Sequence, residues 1–223
     1  MLARFETREE ISPGVWEYAL TPERALDYIP GQYVDVQVLR DFSDLRGRGR
    51  IFTLTSVPNE PMLKFALKFP QPGSSYKREL WSLAPGETVK IGDAMGDVVL
   101  PKNSETPLIF IAGGLGIASF VSSLRWLESA TEKRTVHLFH GRRTAEDNPY
   151  SELLARFPFT SKQQVVSPTR ILVADILEVT SPKSLFFISG SQSFVENFRA
   201  ELAAQGIGHE RVVFDYYDGY TTL

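Results

Sequence analysis

A continuous apolar run, Leu108 to Ala112, hands over directly to Gly113-Gly114-Leu115-Gly116. Beyond it, Phe120, Val121, Leu124 and Leu127 fall on one helical stripe. An apolar run without alternation suits a strand covered on both faces, as in a parallel sheet. Strand, glycine turn and helix in that order open a doubly wound α/β arrangement. The chain keeps that rhythm to its end: Val136 to Phe139 is a second buried strand, Gln164 to Val166 a weaker third and Leu185 to Ile188 a fourth. Phe194, Val195, Phe198 and Leu202 line a helix that Gly206 would terminate, and Val212 to Phe214 closes the pattern.

Glycines at such a turn let the chain bend tightly and let a pyrophosphate approach the backbone, where the helix start supplies N–H groups. Counted from Gly114 the pattern is G-x-G-x-x-S, with Ser119 in place of the last glycine of the dinucleotide fingerprint. By itself the turn also admits the plainer reading of a strand–helix junction that merely needs flexible φ. The fingerprint also expects an acidic residue about 20 positions on, to hold a ribose hydroxyl. That place reads His140-Gly141-Arg142-Arg143: two guanidiniums and no carboxylate. Arginine there suits a 2′-phosphate and tilts the reading toward NADPH over NADH, although an exposed loop arginine is also ordinary solvated charge.

The first half reads differently. Tyr33 to Val38 alternates strictly, with Val34, Val36 and Val38 on one face. Ile51 to Thr55, Met62 to Phe69 and Thr88 to Ile91 also suit strands, punctuated by Pro30-Gly31, Pro58-Asn59, Pro72-Gly73 and Pro85-Gly86. Short strands with regular turns predict a small antiparallel barrel. Pro101 to Pro107 is the expected linker, dividing the chain into residues 1–101 and 107–223. Gly73-Ser74-Ser75-Tyr76-Lys77 gathers hydroxyls and a lysine where a short helix, Tyr76 to Leu83, could begin. That is either a phosphate site or an ordinary N-cap.

Composition narrows the chemistry. A net charge of −3 over 223 residues argues against a general nucleic-acid binder. The chain has no cysteine, which excludes disulfides, catalytic thiols and thiolate-held zinc or iron–sulfur centres within it. Electron chemistry would have to run on an organic cofactor. His137, His140 and His209 are the only histidines and no carboxylate cluster accompanies them, so no metal site is expected. Neither a G-x-S-x-G elbow nor a P-loop is present. Arg46, Arg48 and Arg50 lack a wider basic field and read as phosphate handling plus solvated charge. Met1 to Glu10 has no apolar signal core, and Leu108 to Val121 is too short and glycine-broken for a membrane span, so a cytoplasmic location is the expectation.

The order Pro30-Gly31-Gln32-Tyr33, Arg50-x-Phe52-Thr53, Gly73-Ser74-Ser75, Gly113-Gly114-Leu115-Gly116-Ile117, Ser189-Gly190-Ser191 resembles the ferredoxin–NADP reductase superfamily along essentially the whole chain. The resemblance implies an N-terminal six-stranded antiparallel FAD-binding barrel and a C-terminal doubly wound parallel α/β NAD(P)-binding domain. Carried over, Arg50 would contact the FAD pyrophosphate, Phe52 would pack on the isoalloxazine and Thr53 would offer its hydroxyl to flavin N5. Lys68 would lie near the flavin, and Gly73, Ser74, Ser75 and Lys77 would hold the diphosphate. Gly113, Gly114, Gly116 and Ile117 would cradle the nicotinamide pyrophosphate. Arg142, Arg143, Ser167 and Arg170 are candidates for the adenosine ribose or its phosphate. Ser189 and Gly190 would border the nicotinamide, and Asp215, Tyr216 and Tyr217 would cover the flavin. Thr53, Ser189 and Asp215 are the implied catalytic set.

Three positions depart from the family pattern. Ile117-Ala118-Ser119 replaces Ile-Thr-Pro, Ser189-Gly190-Ser191 replaces Cys-Gly-Pro, and Asp215 replaces a glutamate. The implied activity is hydride transfer from NADPH or NADH to FAD, and from there to free flavin or to a separate acceptor protein such as a ferredoxin, flavodoxin or oxygenase component. A nucleotide-binding regulatory module of the same fold, with little turnover, is the alternative.

Overall fold

The computed structural model describes residues 1–40, 47–69 and 73–217, Tyr217 by its backbone only, so Arg46, Pro72 and the side chain of Tyr217 lie outside the described residues. Strands β1 (Leu2–Ser12), β2 (Val15–Pro22), β3 (Tyr33–Val38), β4 (Gly49–Thr53), β5 (Leu63–Lys68) and β6 (Thr88–Ile91) form a six-stranded antiparallel sheet in the order β4-β3-β6-β1-β2-β5. Helix α1 (Ser75–Trp81) lies between β5 and β6 in the chain. An antiparallel bridge between Leu54 and Phe65 brings the two edge strands together and rolls the sheet into a barrel. Val34, Val36 and Val38 face its core with Phe5, Tyr18, Phe65 and Tyr76, as the alternation of β3 requires.

The long hairpin of β1 and β2 is not visible in the sequence pattern. Only Ala3, Phe5 and Ser12 of β1 are buried, and register shifts between Phe5 and Thr7 and between Glu10 and Ser12 break the period of two.

The second half holds β7 (Leu108–Gly113), a 3-10 turn (Gly114–Ile117), α2 (Ala118–Ser129), β8 (Val136–Arg142), α3 (Ser151–Arg156), β9 (Ser161–Val166), α4 (Val173–Glu178), β10 (Leu185–Ser191), α5 (Gln192–Ala204) and β11 (Val212–Tyr217). Its sheet is parallel, in the order β11-β10-β7-β8-β9. Alternate residues of β7 feed opposite cores. Leu108, Phe110 and Ala112 pack with α2, and Ile109 and Ile111 pack with Val195 and Leu202 of α5. That two-sided burial is why β7 reads as an unbroken apolar run. Gly206, at φ +80°, stands one residue beyond the C-cap of α5, the place expected for it.

The strand order reverses between β7 and β10, and a doubly wound sheet opens its ligand crevice there, beyond the carboxyl ends of the strands. The barrel covers that crevice. Val15, Ala66 and Val98 of the first half share one apolar core with Phe110, Phe120 and Phe187 of the second. Polar contacts fix the same junction. Arg125 Nη1 donates to the Thr55 carbonyl at 2.7 Å and Ser122 Oγ to the Ser56 carbonyl at 2.5 Å. The Glu17 carboxylate accepts from Thr55 Oγ1 at 2.7 Å and from the Tyr150 hydroxyl at 3.0 Å.

Candidate functional site

Between the barrel and the carboxyl ends of the parallel strands lies a cleft of about 1410 Å3, walled by both halves. Ligand pockets for compact molecules are roughly 300–1,000 Å3, so this one has room for an extended ligand or for two. Arg50, Phe52, Thr53, Lys68, Ser74 and Lys77 line it from the barrel side. Gly113, Gly114, Gly116, Arg142, Arg143, Arg170, Gly190, Asp215 and Tyr216 line it from the other. Residues drawn from opposite ends of the sequence thus share one space.

The remaining expected residues are elsewhere. Ile117 is fully buried beneath the glycine turn, Ser189 is fully buried behind Gly190, and Gly73, Ser75 and Ser167 stand outside the lining. Ser74 acts as the N-cap of α1, its Oγ accepting from Lys77 N at 3.3 Å, which is the ordinary capping role of such a serine. Lys77 turns its ammonium onto the Lys68 carbonyl at 2.6 Å, and Lys68 in turn lies 3.7 Å from the Asp147 carboxylate.

At the barrel wall, Arg50 donates to the carbonyls of Gly47 and Gly49 at 3.1 and 2.6 Å, and its guanidinium lies 4.9 Å from the centre of the Tyr76 ring. Those contacts hold a charged fork at the cleft edge. Phe52 stacks on Phe65 with ring centres 4.5 Å apart and leaves 8 % of its surface exposed, so most of its ring belongs to the barrel core. Ile51, one residue earlier, is 55 % exposed and presents an apolar face to the cleft.

On the opposite wall the glycine turn is a cradle that side chains would fill. A Cβ on Gly116 would stand 2.1 Å from the Ser189 carbonyl oxygen, whereas the space beside Gly114, at φ +53°, is open. Arg142 keeps its Nε buried without a hydrogen-bond partner among the described residues. A phosphate oxygen is the kind of acceptor that position lacks.

Four polar side chains converge where the two halves meet. Thr53 Oγ1 donates to Asp215 Oδ2 at 3.4 Å, and Ser119 Oγ lies 3.0 Å from Ser189 Oγ. Asp215 also accepts from Ser119 and from the Tyr216 N–H. Burial raises the carboxyl of Asp215 above the ordinary aspartate range, partly offset by the Thr53, Tyr216 and Ser119 donors. The register creates this cluster, because Ser189 of β10 faces Asp215 of β11 on one side and Ala112 of β7 on the other.

Two contributors are absent from the sequence expectations for the site. Ser119 stood out only as a departure from a glycine fingerprint, yet it joins Ser189 to Asp215. Phe194 lies on the apolar stripe of α5, but its ring sits against Gly113 and Gly190, where an added Cβ would come within 3.0 and 2.8 Å of it. Paired glycines facing one ring across two strands are the available signal, and it needs the strand order to be read. Among the described residues no group of three or more histidine, aspartate or glutamate side chains could hold a metal, and no helix is long and apolar enough to cross a membrane.

No protein-family model matches the chain. It is 22% identical over 236 residues, covering 94% of its length and 58% of the relative's, to a flavohemoprotein of Bacillus cereus. It is 30% identical over 146 residues to the anthranilate 1,2-dioxygenase electron transfer component of Acinetobacter baylyi, covering 61% of this chain and 40% of that one. The chain spans about half the length of the curated relatives it matches. Among solved structures, a ferredoxin NADP+ reductase from Neisseria gonorrhoeae with bound FAD and NADP superposes with a TM-score of 0.78 at 18% identity, over 97% of this chain and 98% of that one.

Proposed function

We propose that this chain, which has the ferredoxin–NADP reductase fold, is a flavin-dependent oxidoreductase that takes hydride from NAD(P)H and passes electrons to a separate acceptor. Residues 1–101 would carry FAD and residues 107–223 the nicotinamide dinucleotide. The observation that carries this reading is the meeting of Thr53, from the barrel, with Asp215, from the last parallel strand, at the cleft that both halves wall, backed by the buried Ser119 and Ser189. FAD, when bound, supplies the two-electron chemistry and the ability to hand electrons on.

The chain's own part is binding, orientation and protection. Arg50 offers its guanidinium to a diphosphate, and Tyr76 beneath it keeps the fork in place. Open space at Gly114 and the buried Nε of Arg142 suit a second diphosphate or ribose phosphate on the far wall. Arg142 and Arg143, with no carboxylate at the end of β8, favour NADPH over NADH. Thr53 and Asp215 place a hydroxyl and a carboxyl at the seam, where two ring systems would meet at roughly 3–3.5 Å. The shared core of Val15, Ala66, Val98 and Phe120 holds the walls at a fixed spacing and excludes water from beneath the seam.

Two of the relatives are named as an electron transfer component of a dioxygenase and a ferredoxin–NAD(P)+ reductase component of dioxygenase systems. A separate oxygenase or ferredoxin acceptor fits a chain without cysteine, which cannot hold an iron–sulfur relay of its own on thiolates. The test is anaerobic titration of the FAD-loaded protein with NADPH and with NADH, followed by flavin absorbance. Bleaching, faster with NADPH, is the expected result. A protein that takes up no FAD would refute the flavoenzyme reading. A yellow protein that neither nucleotide bleaches would leave a nucleotide-binding module without turnover.

A further inference from the structure

We propose that His140 is a positioning residue that aims the backbone N–H of Leu115 at a bound dinucleotide's pyrophosphate, acting through the Gly114 carbonyl. This rests on the nucleotide reading above and adds to it the residue that sets the shape of the phosphate turn. His140 is fully buried on β8, and both of its ring nitrogens are engaged: Nε2 lies 3.0 Å from the Gly114 carbonyl oxygen and Nδ1 lies 3.3 Å from Gln164 Nε2.

The proton positions follow from the partners. A carbonyl can only accept, so Nε2 carries the hydrogen. Burial, with Arg142 nearby, depresses the imidazole to about 4, against weaker opposing pulls from the Gly114 carbonyl and Asp147, so the ring is neutral and Nδ1 is an acceptor. Gln164 must therefore present its amide nitrogen, and the second hydrogen of that nitrogen reaches Asn148 Oδ1 at 3.3 Å. The Asn148 backbone N–H in turn donates to Ser12 Oγ, on β1 of the barrel, at 3.1 Å. The Gly114 carbonyl fixes the tautomer, and the Gln164 and Asn148 contacts tie the ring's other nitrogen toward the barrel.

The consequence lies in the peptide that His140 holds. The Gly114–Leu115 peptide is trans, so its C=O and N–H point in opposite directions. Anchoring the carbonyl inward on β8 turns the Leu115 N–H away from the interior, toward the cleft that Gly114 and Leu115 line. Glycine at φ +53° permits that orientation, and the histidine selects it. His137, three residues earlier on the same strand, supplies the contrast: it is buried and bonded to Ser161 Oγ at 2.7 Å, touches nothing in the cleft and is an ordinary satisfied core histidine.

The test compares wild type, His140→Phe and His140→Gln, each FAD-loaded, for binding of NADP+ and NAD+ by calorimetry and for kcat and KM. Gln keeps a donor near the Nε2 position and Phe keeps only the shape. Expected is a rise of about tenfold or more in Kd and KM for H140F with kcat little changed, most of it recovered in H140Q. Reduced nicotinamide mononucleotide, which has no pyrophosphate, should serve all three proteins alike. In 15N-labelled wild type, His140 should show protonated Nε2 and bare Nδ1 at neutral pH, and adding inorganic pyrophosphate should shift the Leu115 amide resonance. An Nδ1-protonated tautomer, an unmoved Leu115 resonance, or H140F binding within twofold of wild type would overturn the inference while leaving the enzyme reading intact. Wild type that binds neither dinucleotide would overturn both. Should H140F fail to fold, the tautomer, the Leu115 shift and H140Q still decide.

Discussion

Gly116→Ala puts one methyl group into the tightest approach in the site. A Cβ at Gly116 would lie 2.1 Å from the Ser189 carbonyl oxygen and 2.8 Å from Gly190 N, and ordinary contact begins near 3.4 Å. Both neighbours are backbone, so no side chain can rotate away, and the 3-10 turn and β10 must part by about 1.3 Å. That separation would stretch the 3.0 Å contact of Ser119 with Ser189 and disturb the register that sets Ser189 beside Asp215. Overpacking of a closed interior costs about 1–3 kcal/mol, and a clash between two backbones stands at or above the upper end. The expectation is a loss of about 3 kcal/mol in urea unfolding, with nicotinamide-dependent flavin reduction lost more than FAD binding. Gly114→Ala is the control, since only its positive φ resists a side chain and the space around it is open, so it should cost about 1 kcal/mol. Equal, small losses at both positions would refute the argument that close approach, rather than conformational freedom, requires glycine at 116.

Other perturbations probe separate parts of the site. Burial raises the Asp215 carboxyl, so the folded chain binds that proton more tightly than the unfolded chain, and stability falls as pH rises through the raised value. Asp215→Asn should therefore have a higher melting temperature than wild type at neutral pH, the two converging near pH 3, and a lower melting temperature at pH 7 would contradict the assignment. His140 is depressed from 6.5 to about 4, so its contribution is complete above pH 6.5 and is lost as pH falls toward 4. That span is worth about 3 kcal/mol, and the urea stability of wild type relative to H140Q should shrink by that order between pH 7 and 4. Tyr150→Phe removes the 3.0 Å donor to Glu17 at the junction of the halves and should cost about 2 kcal/mol in urea unfolding. Arg143→Ala should narrow any preference for NADPH over NADH in kcat/KM while leaving FAD binding alone, and an unchanged ratio would remove this arginine from the 2′-phosphate assignment.

How much of this was legible depended on whether the signal was local. The parallel half announces itself, because two-sided burial makes β7 and β10 start as continuous apolar runs, and the longer helices α2 and α5 carry 3.6-residue stripes. The barrel half is legible at β3, where one face is buried and the alternation is strict, and not at β1, where two register shifts interrupt it. Short α3 and α4, six residues each, carry too few turns for a periodic signal. The Gly73–Lys77 segment gave two readings in sequence, and the structure realises the capping one at Ser74 while still placing Ser74 and Lys77 at the cleft.

The polar cluster at the seam was legible only in part, and the reason is topological. Thr53, Ser119, Ser189 and Asp215 are separated by 66, 70 and 26 residues in the chain, and no window on the sequence joins them. Resemblance singled out three of the four because the family pattern gives those positions a role, even where Ser189 and Asp215 depart from its residue type. Ser119 falls where the family pattern has proline, so resemblance could register it only as a departure. Its role comes from the register of β10 between β7 and β11, which stacks Ser189 over the start of α2 and beside Asp215. The departures are therefore coupled rather than separate losses. A serine at 189 needs a hydrogen-bond partner when fully buried, a serine at 119 supplies it, and the shorter carboxylate at 215 accepts from Ser119 and Thr53 together. Replacing Ser119 by alanine would leave Ser189 buried without that partner and Asp215 with one donor fewer, so its carboxyl should titrate at a still higher pH. One substitution that strips a partner from Ser189 and alters the acidity of Asp215 is the mark of one unit, and it shows why the site must be read as a set.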